Sequence, residues 1–235
     1  THEGFYAPLL ERLSTNPIVH PRNRGTAPAI LYALLRIAEV APASAAVALF
    51  PSDHYVSDNR AFMRHIGAAF RVVENRPELT VLLGIAPDGP EQSYGWIEPG
   101  ERVWNEFPVH RVRRFFEKPE AELASKLCRE GALWNSFVIV GRVSTLIATF
   151  MMALPQLYVA FRSVRPVLGT VFEQSAIERL YADLASFNYS EQVLQKFPVN
   201  LAVLPVSGVE WSDLGDPDRV IETWARTGIR PAQVA

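Results

Sequence analysis

The sequence predicts an α/β fold, a central sheet with helices packed on both faces, and three observations carry that expectation. Apolar runs of strand length alternate with amphipathic stretches of helix length from the start of the chain to residue 85, the order of a doubly wound sheet. Residues 45–50 form an unbroken apolar run, the pattern of a strand buried on both faces, and Pro51 ends it by removing a ladder donor. Polar residues then stand just beyond strand ends: Asp53 and His54 after that run, and Trp211-Ser212-Asp213-Leu214-Gly215-Asp216 after the apolar run at 201–206. In open α/β sheets ligands bind at the carboxyl ends of strands. Two carboxylates at two strand ends are what a divalent cation needs in order to hold a phosphate. The plainer alternative is that each Asp only caps the turn that follows it.

Taken in order, residues 3–13 place Phe5, Leu9, Leu10 and Leu13 at helical spacing. Pro17-Ile18-Val19 reads as a brief strand ended by His20-Pro21. The loop at 22–25 opens a helix that Thr26 can cap, with Pro28 in the first turn, where a missing N–H does no harm. Leu31, Leu34, Leu35 and Ile37 carry this helix to about residue 40. After the 45–50 strand come a helix over 59–73, capped by Asp58, and an apolar strand over 79–85. Turns at Asp88-Gly89-Pro90 and Pro99-Gly100 flank the extended segment 94–98. Residues 109–116 lead into Glu117-Lys118-Pro119, and a helix over 120–129 ends at Gly131, a residue suited to a C-cap. A strand over 133–140 carries Trp134-Asn135-Ser136 at its start. Residues 143–187 read as helical with breaks near Pro155 and Pro166; a strand at 201–206, the Asp213 loop and a helix over 217–226 complete the chain. Tyr32, Phe62, Phe70, Met151 and Met152 are assigned to the core.

A chain of 235 residues can bury a core of full size, as one domain or as one with a small appendage. With 49% apolar residues, 20% charged residues and a net charge of −2, nothing marks a nucleic-acid groove or a polybasic membrane contact. The apolar stretch at 146–161 is interrupted by Pro155 and Gln156 and is too short to span a bilayer. A lone cysteine, Cys128, forms no internal disulfide and reads as a buried structural thiol in a reducing compartment.

Five segments in fixed order carry a resemblance: Asn23-Arg24-Gly25-Thr26-Ala27-Pro28-Ala29-Ile30; Phe50-Pro51-Ser52-Asp53-His54; Gly84-Ile85-Ala86-Pro87 with Glu91 and Tyr94-Gly95-Trp96-Ile97; Phe116-Glu117-Lys118-Pro119 with Trp134-Asn135-Ser136; and Trp211-Ser212-Asp213-Leu214-Gly215. Together, over about residues 20–220, they resemble the sugar-1-phosphate nucleotidylyltransferases, most closely the mannose-1-phosphate guanylyltransferases. The resemblance implies a Rossmann-like nucleotidyltransferase fold of the glycosyltransferase-A kind, with a mixed, mostly parallel sheet flanked by helices, as one catalytic domain over residues 1–235. It implies transfer of a nucleoside monophosphate from an NTP, GTP by closest likeness, to a sugar 1-phosphate such as mannose 1-phosphate, in the cytoplasm. Mg²⁺ would be held by Asp53 and Asp213, and Asp53, Asp213 and Lys118 would be the catalytic residues. His20, Pro21, Arg24, Gly25, Thr26 and Asp53 would serve the nucleotide. Tyr94, Gly95, Glu117, Lys118 and Asn135 would serve the sugar phosphate. Glu117 can accept bonds from adjacent sugar hydroxyls, Gly95 lets backbone approach the ring, and Lys118 is a compact cation for phosphate. The oligomeric state is left open, a homo-oligomer included.

The chain departs from the family pattern at three places. The family has Gln or Glu where His20 precedes Pro21, which weakens any inference of guanine over another base. Its Trp-Asn-Ser-Gly has Phe137 in place of the Gly. Its N-terminal Gly-Gly-x-Gly-Thr-Arg-Leu loop, whose amides grip the triphosphate, has no counterpart here. The expectation is therefore that the first strand and that loop belong to a preceding segment, and that this stretch alone has negligible transferase activity. A non-catalytic paralogue that binds a sugar nucleotide and regulates a partner enzyme is the alternative function. An interaction scaffold without a ligand is the blandest one.

Overall fold

The structure, a computed structural model, describes residues 16–104 and 106–228, so the amphipathic stretch at 3–13 lies outside the described residues. Helices α1 (Thr26–Ala38), α2 (Asn59–Asn75), α3 (Ala121–Arg129), α4 (Val143–Ala153), α5 (Pro155–Val164), α6 (Glu173–Asp183) and α7 (Pro217–Thr227) surround two sheets. The strands are β1 (Ala46–Leu49), β2 (His54–Val56), β3 (Thr80–Ile85), β4 (Gly95–Arg102), β5 (His110–Glu117), β6 (Leu133–Arg142), β7 (Leu201–Val206) and β8 (Trp211–Asp213). The large sheet runs β1-β6-β3-β7-β5-β4, with β4 also touching β6, and β2 and β8 form a separate two-stranded ribbon.

Period-two alternation sorts the strand side chains onto two cores. Leu82 of β3, Ile139 of β6 and Val203 of β7 face Leu31, Leu35, Phe150, Phe161 and Tyr181 from α1 and α4–α6. Their neighbours Val81, Leu83, Val140 and Leu204 face Ile66, Val72, Val73 and Leu127 from α2 and α3. Every residue of β3 is buried because it is covered on both faces. Asp58 caps α2 as expected, its Oδ1 accepting from the Ala61 N–H at 2.9 Å. Among the described residues no helix is long and apolar enough to cross a membrane.

The α/β class and the mixed sheet with flanking helices stand as expected, but the parallel share is smaller. In the large sheet β3–β7 is parallel, whereas β1–β6, β3–β6, β4–β5, β4–β6 and β5–β7 are antiparallel. The reason is that β6 returns between β1 and β3, and β5 between β7 and β4, each running against its neighbours. The run at 45–50 is an edge strand with all four paired residues half-buried, because among the described residues β1 has β6 as its one neighbour. Pro17-Ile18-Val19 takes no regular structure. Pro99-Gly100 is no turn: both lie within β4, where the register with β5 shifts. Met151 and Met152 are about half exposed, and Cys128 is half-buried rather than buried.

Candidate active site

Asp53 follows β1 and precedes β2, and the ladder of β2 with β8 sets His54 directly opposite Asp213. The Leu214 N–H donates to the Asp53 carbonyl at 2.7 Å, closing the ribbon at the same point. Two carboxylates 160 residues apart in sequence are thereby neighbours: ligand atoms of Asp53, His54 and Asp213 all lie within 4.8 Å of one another. Gly215 stands against both. A β-carbon there would lie 2.9 Å from Asp213 Oδ1 and 3.3 Å from Asp53 Oδ2, so only glycine keeps the space beside the two carboxylates open. Carboxylate oxygens at such a convergence fit a hard divalent ion such as Mg²⁺, which takes one or two protein carboxylates and fills its remaining positions with water and phosphate oxygens. Burial lowers the His54 imidazole below its ordinary value, against the pull of Asp213 and Asp53. Its Nδ1 accepts from the Trp211 indole N–H at 3.3 Å, so this histidine is neutral and fixed edge-on to that ring.

The carboxylates open onto a cleft of about 1010 Å³ whose walls include Thr26, Tyr94, Gly95, Glu117, Lys118, Asn135, Phe137, Ser190 and Arg219. Every residue placed on the sugar side therefore lines one cavity with Asp53 and Asp213. Gly95 at the start of β4 is paired with Glu117 at the end of β5. Burial raises the Glu117 carboxyl above its ordinary value, opposed by Lys118 and by a hydrogen bond from Ser190. Lys118 adopts a φ of 46° and Phe137 one of 56°, the two non-glycine residues with positive φ among those described, and both line the cleft. Such conformations cost energy and cluster at functional sites. Asn135 is almost fully buried and its Oδ1 accepts from the Phe137 N–H at 3.1 Å. That bond helps hold Phe137 in the left-handed region where the family pattern has glycine.

The nucleotide-side residues divide. Thr26 lines the cleft, but it does not cap α1: Gly25 is the N-cap, and the Thr26 hydroxyl accepts from the Tyr189 N–H at 2.9 Å. Gly25, at φ 85°, is pressed onto residue 187, where a β-carbon would come within 2.3 Å of the Phe187 carbonyl oxygen. Arg24 spends its guanidinium on the Tyr181 and Ala182 carbonyls at 3.1 and 3.0 Å. His20 bonds the Tyr181 hydroxyl through Nδ1 at 2.9 Å and stands edge-on to Tyr32, its pKa lowered by burial. Pro21 lines a different groove, with Tyr32, Arg36 and Glu173. His20, Pro21, Arg24 and Gly25 are not brought together with Asp53 at the cleft wall.

Sequence reasoning missed Ser190 and Arg219. Ser190 sits in a π-helical turn (Ser190–Leu194) that periodicity does not reveal. Arg219 did carry a signal, since a cation in the first turn of a helix opposes the macrodipole and needs some other reason to be there.

A family model described as nucleotidyl transferase matches residues 7–227. Among curated proteins, the chain is 26% identical over 208 residues to mannose-1-phosphate guanylyltransferase RfbM of Salmonella typhimurium, covering 88% of this chain and 42% of that protein. It is 28% identical over 208 residues to a mannose-1-phosphate guanylyltransferase of Sinorhizobium fredii, covering 86% and 39% respectively. The chain thus spans about two-fifths of the length of these relatives. A solved structure from Thermus thermophilus, described as a mannose-1-phosphate geranyltransferase, superposes with a TM-score of 0.77 at 25% identity, covering 91% of this chain and 58% of that one.

Proposed function

This chain belongs to the nucleotidyl transferase family, and on that premise we propose that it is the catalytic part of an enzyme that joins a nucleotide to a sugar 1-phosphate. An oxygen of the sugar phosphate attacks the α-phosphorus of an NTP, the bond from that phosphorus to the β-phosphate oxygen breaks, and pyrophosphate leaves. The finer reading takes GTP as donor and mannose 1-phosphate as acceptor, in keeping with the names of its relatives. The observation that carries the proposal is the convergence of Asp53 and Asp213 on the cleft lined by Glu117, Lys118 and Asn135. Mg²⁺, held by Asp53 and Asp213, would offset the negative charge of the two phosphorylated substrates.

The chain's own residues supply positioning and charge, which is most of what phosphoryl-type transfer asks of a protein. Glu117 accepts from sugar hydroxyls, and Asn135 offers its amide from the same wall. Lys118, held by its backbone N–H to the Tyr94 carbonyl at 3.2 Å, presents its ammonium to the acceptor's phosphate. Gly95 leaves room for the ring between Glu117 and Asn135, each of which has an atom within 3.3 Å of where a β-carbon would stand. Thr26 approaches from the nucleotide side.

The test is pyrophosphate release by the natural protein that carries this chain, over a panel of nucleoside triphosphates and sugar 1-phosphates with Mg²⁺. GTP with mannose 1-phosphate gives the highest kcat/KM on this reading. Turnover with another pair overturns the finer assignment only. Sugar-nucleotide binding with no turnover of any pair overturns the catalytic reading in favour of a regulatory paralogue.

A further inference from the structure

Arg219 stands at the candidate metal site, and neither the composition of the motifs nor the family resemblance gives it a task. It is the third residue of α7, where the helix N-terminus disfavours a positive charge. Its guanidinium lies 4.8 Å over the Tyr94 ring and donates to Ser93 Oγ at 3.2 Å. Its Nη2 is 3.9 Å from Asp213 Oδ2. The other oxygen, Oδ1, accepts from the Gly215 N–H at 2.7 Å. The carboxylate that would bind a divalent ion is therefore already shared with a fixed cation.

Three features describe the setting of Arg219. Tyr94 is almost fully buried between Trp134 and Trp211, so the ring under the guanidinium is packed edge-on against two others. The Arg219 side chain is 21% exposed, which limits solvent screening of its charge. Its Nε is buried with no hydrogen-bond partner among the described residues. It also lines two adjoining cavities, the main cleft and a smaller one bounded by Asp88, Glu91 and Glu222, and so forms part of the wall between them.

A guanidinium and a divalent ion on one carboxylate repel each other, and the same guanidinium attracts phosphate. We propose that Arg219 is a positioning residue that competes with the divalent cation for Asp213. It keeps the bare site weak for free metal, and from the same position its charge attracts the substrate phosphates once the ion has arrived. The site would thus take its cation together with the phosphorylated nucleotide instead of holding a resident ion. This inference rests on the function proposed above and adds to it an order of arrival and a cation beyond Lys118.

The experiment measures two affinities whose expected changes have opposite sign. Binding of free Mn²⁺ is followed by electron paramagnetic resonance, and binding of inorganic pyrophosphate without metal by calorimetry, on the full natural protein. Removing one positive charge a few ångströms from the ion should tighten Mn²⁺ about threefold or more at low salt in Arg219→Gln, a size that follows from Coulomb's law in a high dielectric. The same variant should bind pyrophosphate at least about threefold more weakly. Arg219→Lys, which keeps the charge, should stay near wild type in both, as should Arg226→Ala on the same helix. Weaker binding of both ligands in Arg219→Gln means a merely structural role and overturns the inference, as does unchanged Mn²⁺ affinity. Asp53→Asn separates this from failure of the site itself: Mn²⁺ binding that survives that change overturns the metal site and this inference together.

Discussion

Replacing Gly95 by alanine tests the sugar wall of the cleft with the smallest perturbation available. A β-carbon at this position would lie 2.9 Å from Phe115 Cζ, 3.1 Å from Glu117 Oε2 and 3.3 Å from Asn135 Cβ. Phe115 is a core residue, only 2% exposed, so its ring cannot swing clear, and overpacking of this kind costs about 1–3 kcal/mol. For a domain of this size that lowers Tm by roughly 2–4 °C per kcal/mol. The Glu117 carboxylate is more mobile and must give by a few tenths of an ångström, out of line with the sugar hydroxyls it is proposed to bind. A charged hydrogen bond is worth about 1.5–3 kcal/mol, so its loss raises KM for the sugar phosphate by roughly tenfold to a hundredfold. On the proposed function the KM for NTP should change far less, because Thr26, the residue proposed for the nucleotide, is not among the atoms a β-carbon at Gly95 would press on. Steady-state kinetics with each substrate varied in turn, together with a thermal melt, reads all three numbers. Wild-type KM for the sugar phosphate with a lowered Tm would refute the placement of the sugar beside Gly95 and Glu117.

Glu117 also predicts a pH dependence. Burial raises its pKa, so on acidification it takes up a proton before a free glutamate would and gives up part of its acceptor capacity. Glu117 should therefore contribute to the acid limb of kcat/KM at a pH above that of a free glutamate, and Glu117→Gln should move the limb to lower pH while lowering the plateau. The stability sign is the reverse: a raised folded-state pKa favours folding below the unfolded value, and that contribution is lost as pH rises through the folded one. Urea midpoints of wild type and Glu117→Gln across the same pH range check it, with a flatter profile expected in the variant. At Phe137 the left-handed φ of 56° predicts that Phe137→Gly is more stable than Phe137→Ala by about 1 kcal/mol, although both lose the ring that stands 6.3 Å from Tyr189. Equal urea midpoints for the two variants would contradict the strain.

Elements defined by their own local chemistry were legible in the sequence. The helix that runs over 59–75 announced itself, as far as about residue 73, through Asp58 and its apolar spacing, and β3 through the apolar run at 79–85. The two acidic loops were legible as sites because each follows an apolar run that must end where polar residues begin. What joins them was not. His54-Tyr55-Val56 and Trp211-Ser212-Asp213 are three-residue strands, too short for any periodicity, and they become strands only by pairing with each other. The uses of His20 and Arg24 were hidden for the same reason, since their partners Tyr181 and Ala182 lie about 160 residues away. Thr26 looked like a cap because the sequence cannot reveal that the Tyr189 N–H arrives from elsewhere to claim its hydroxyl. The edge position of β1 was equally invisible: an apolar run predicts burial but not how many neighbours supply it.

Diffraction at the manganese absorption edge, from crystals of the natural protein soaked in Mn²⁺ and a nucleotide, interrogates the pairing of Asp53 with Asp213 without relying on rates. One strong anomalous peak within bonding distance of an oxygen from each side chain is the result expected. A peak bonded to neither, in a cleft where the nucleotide is visible, would contradict it.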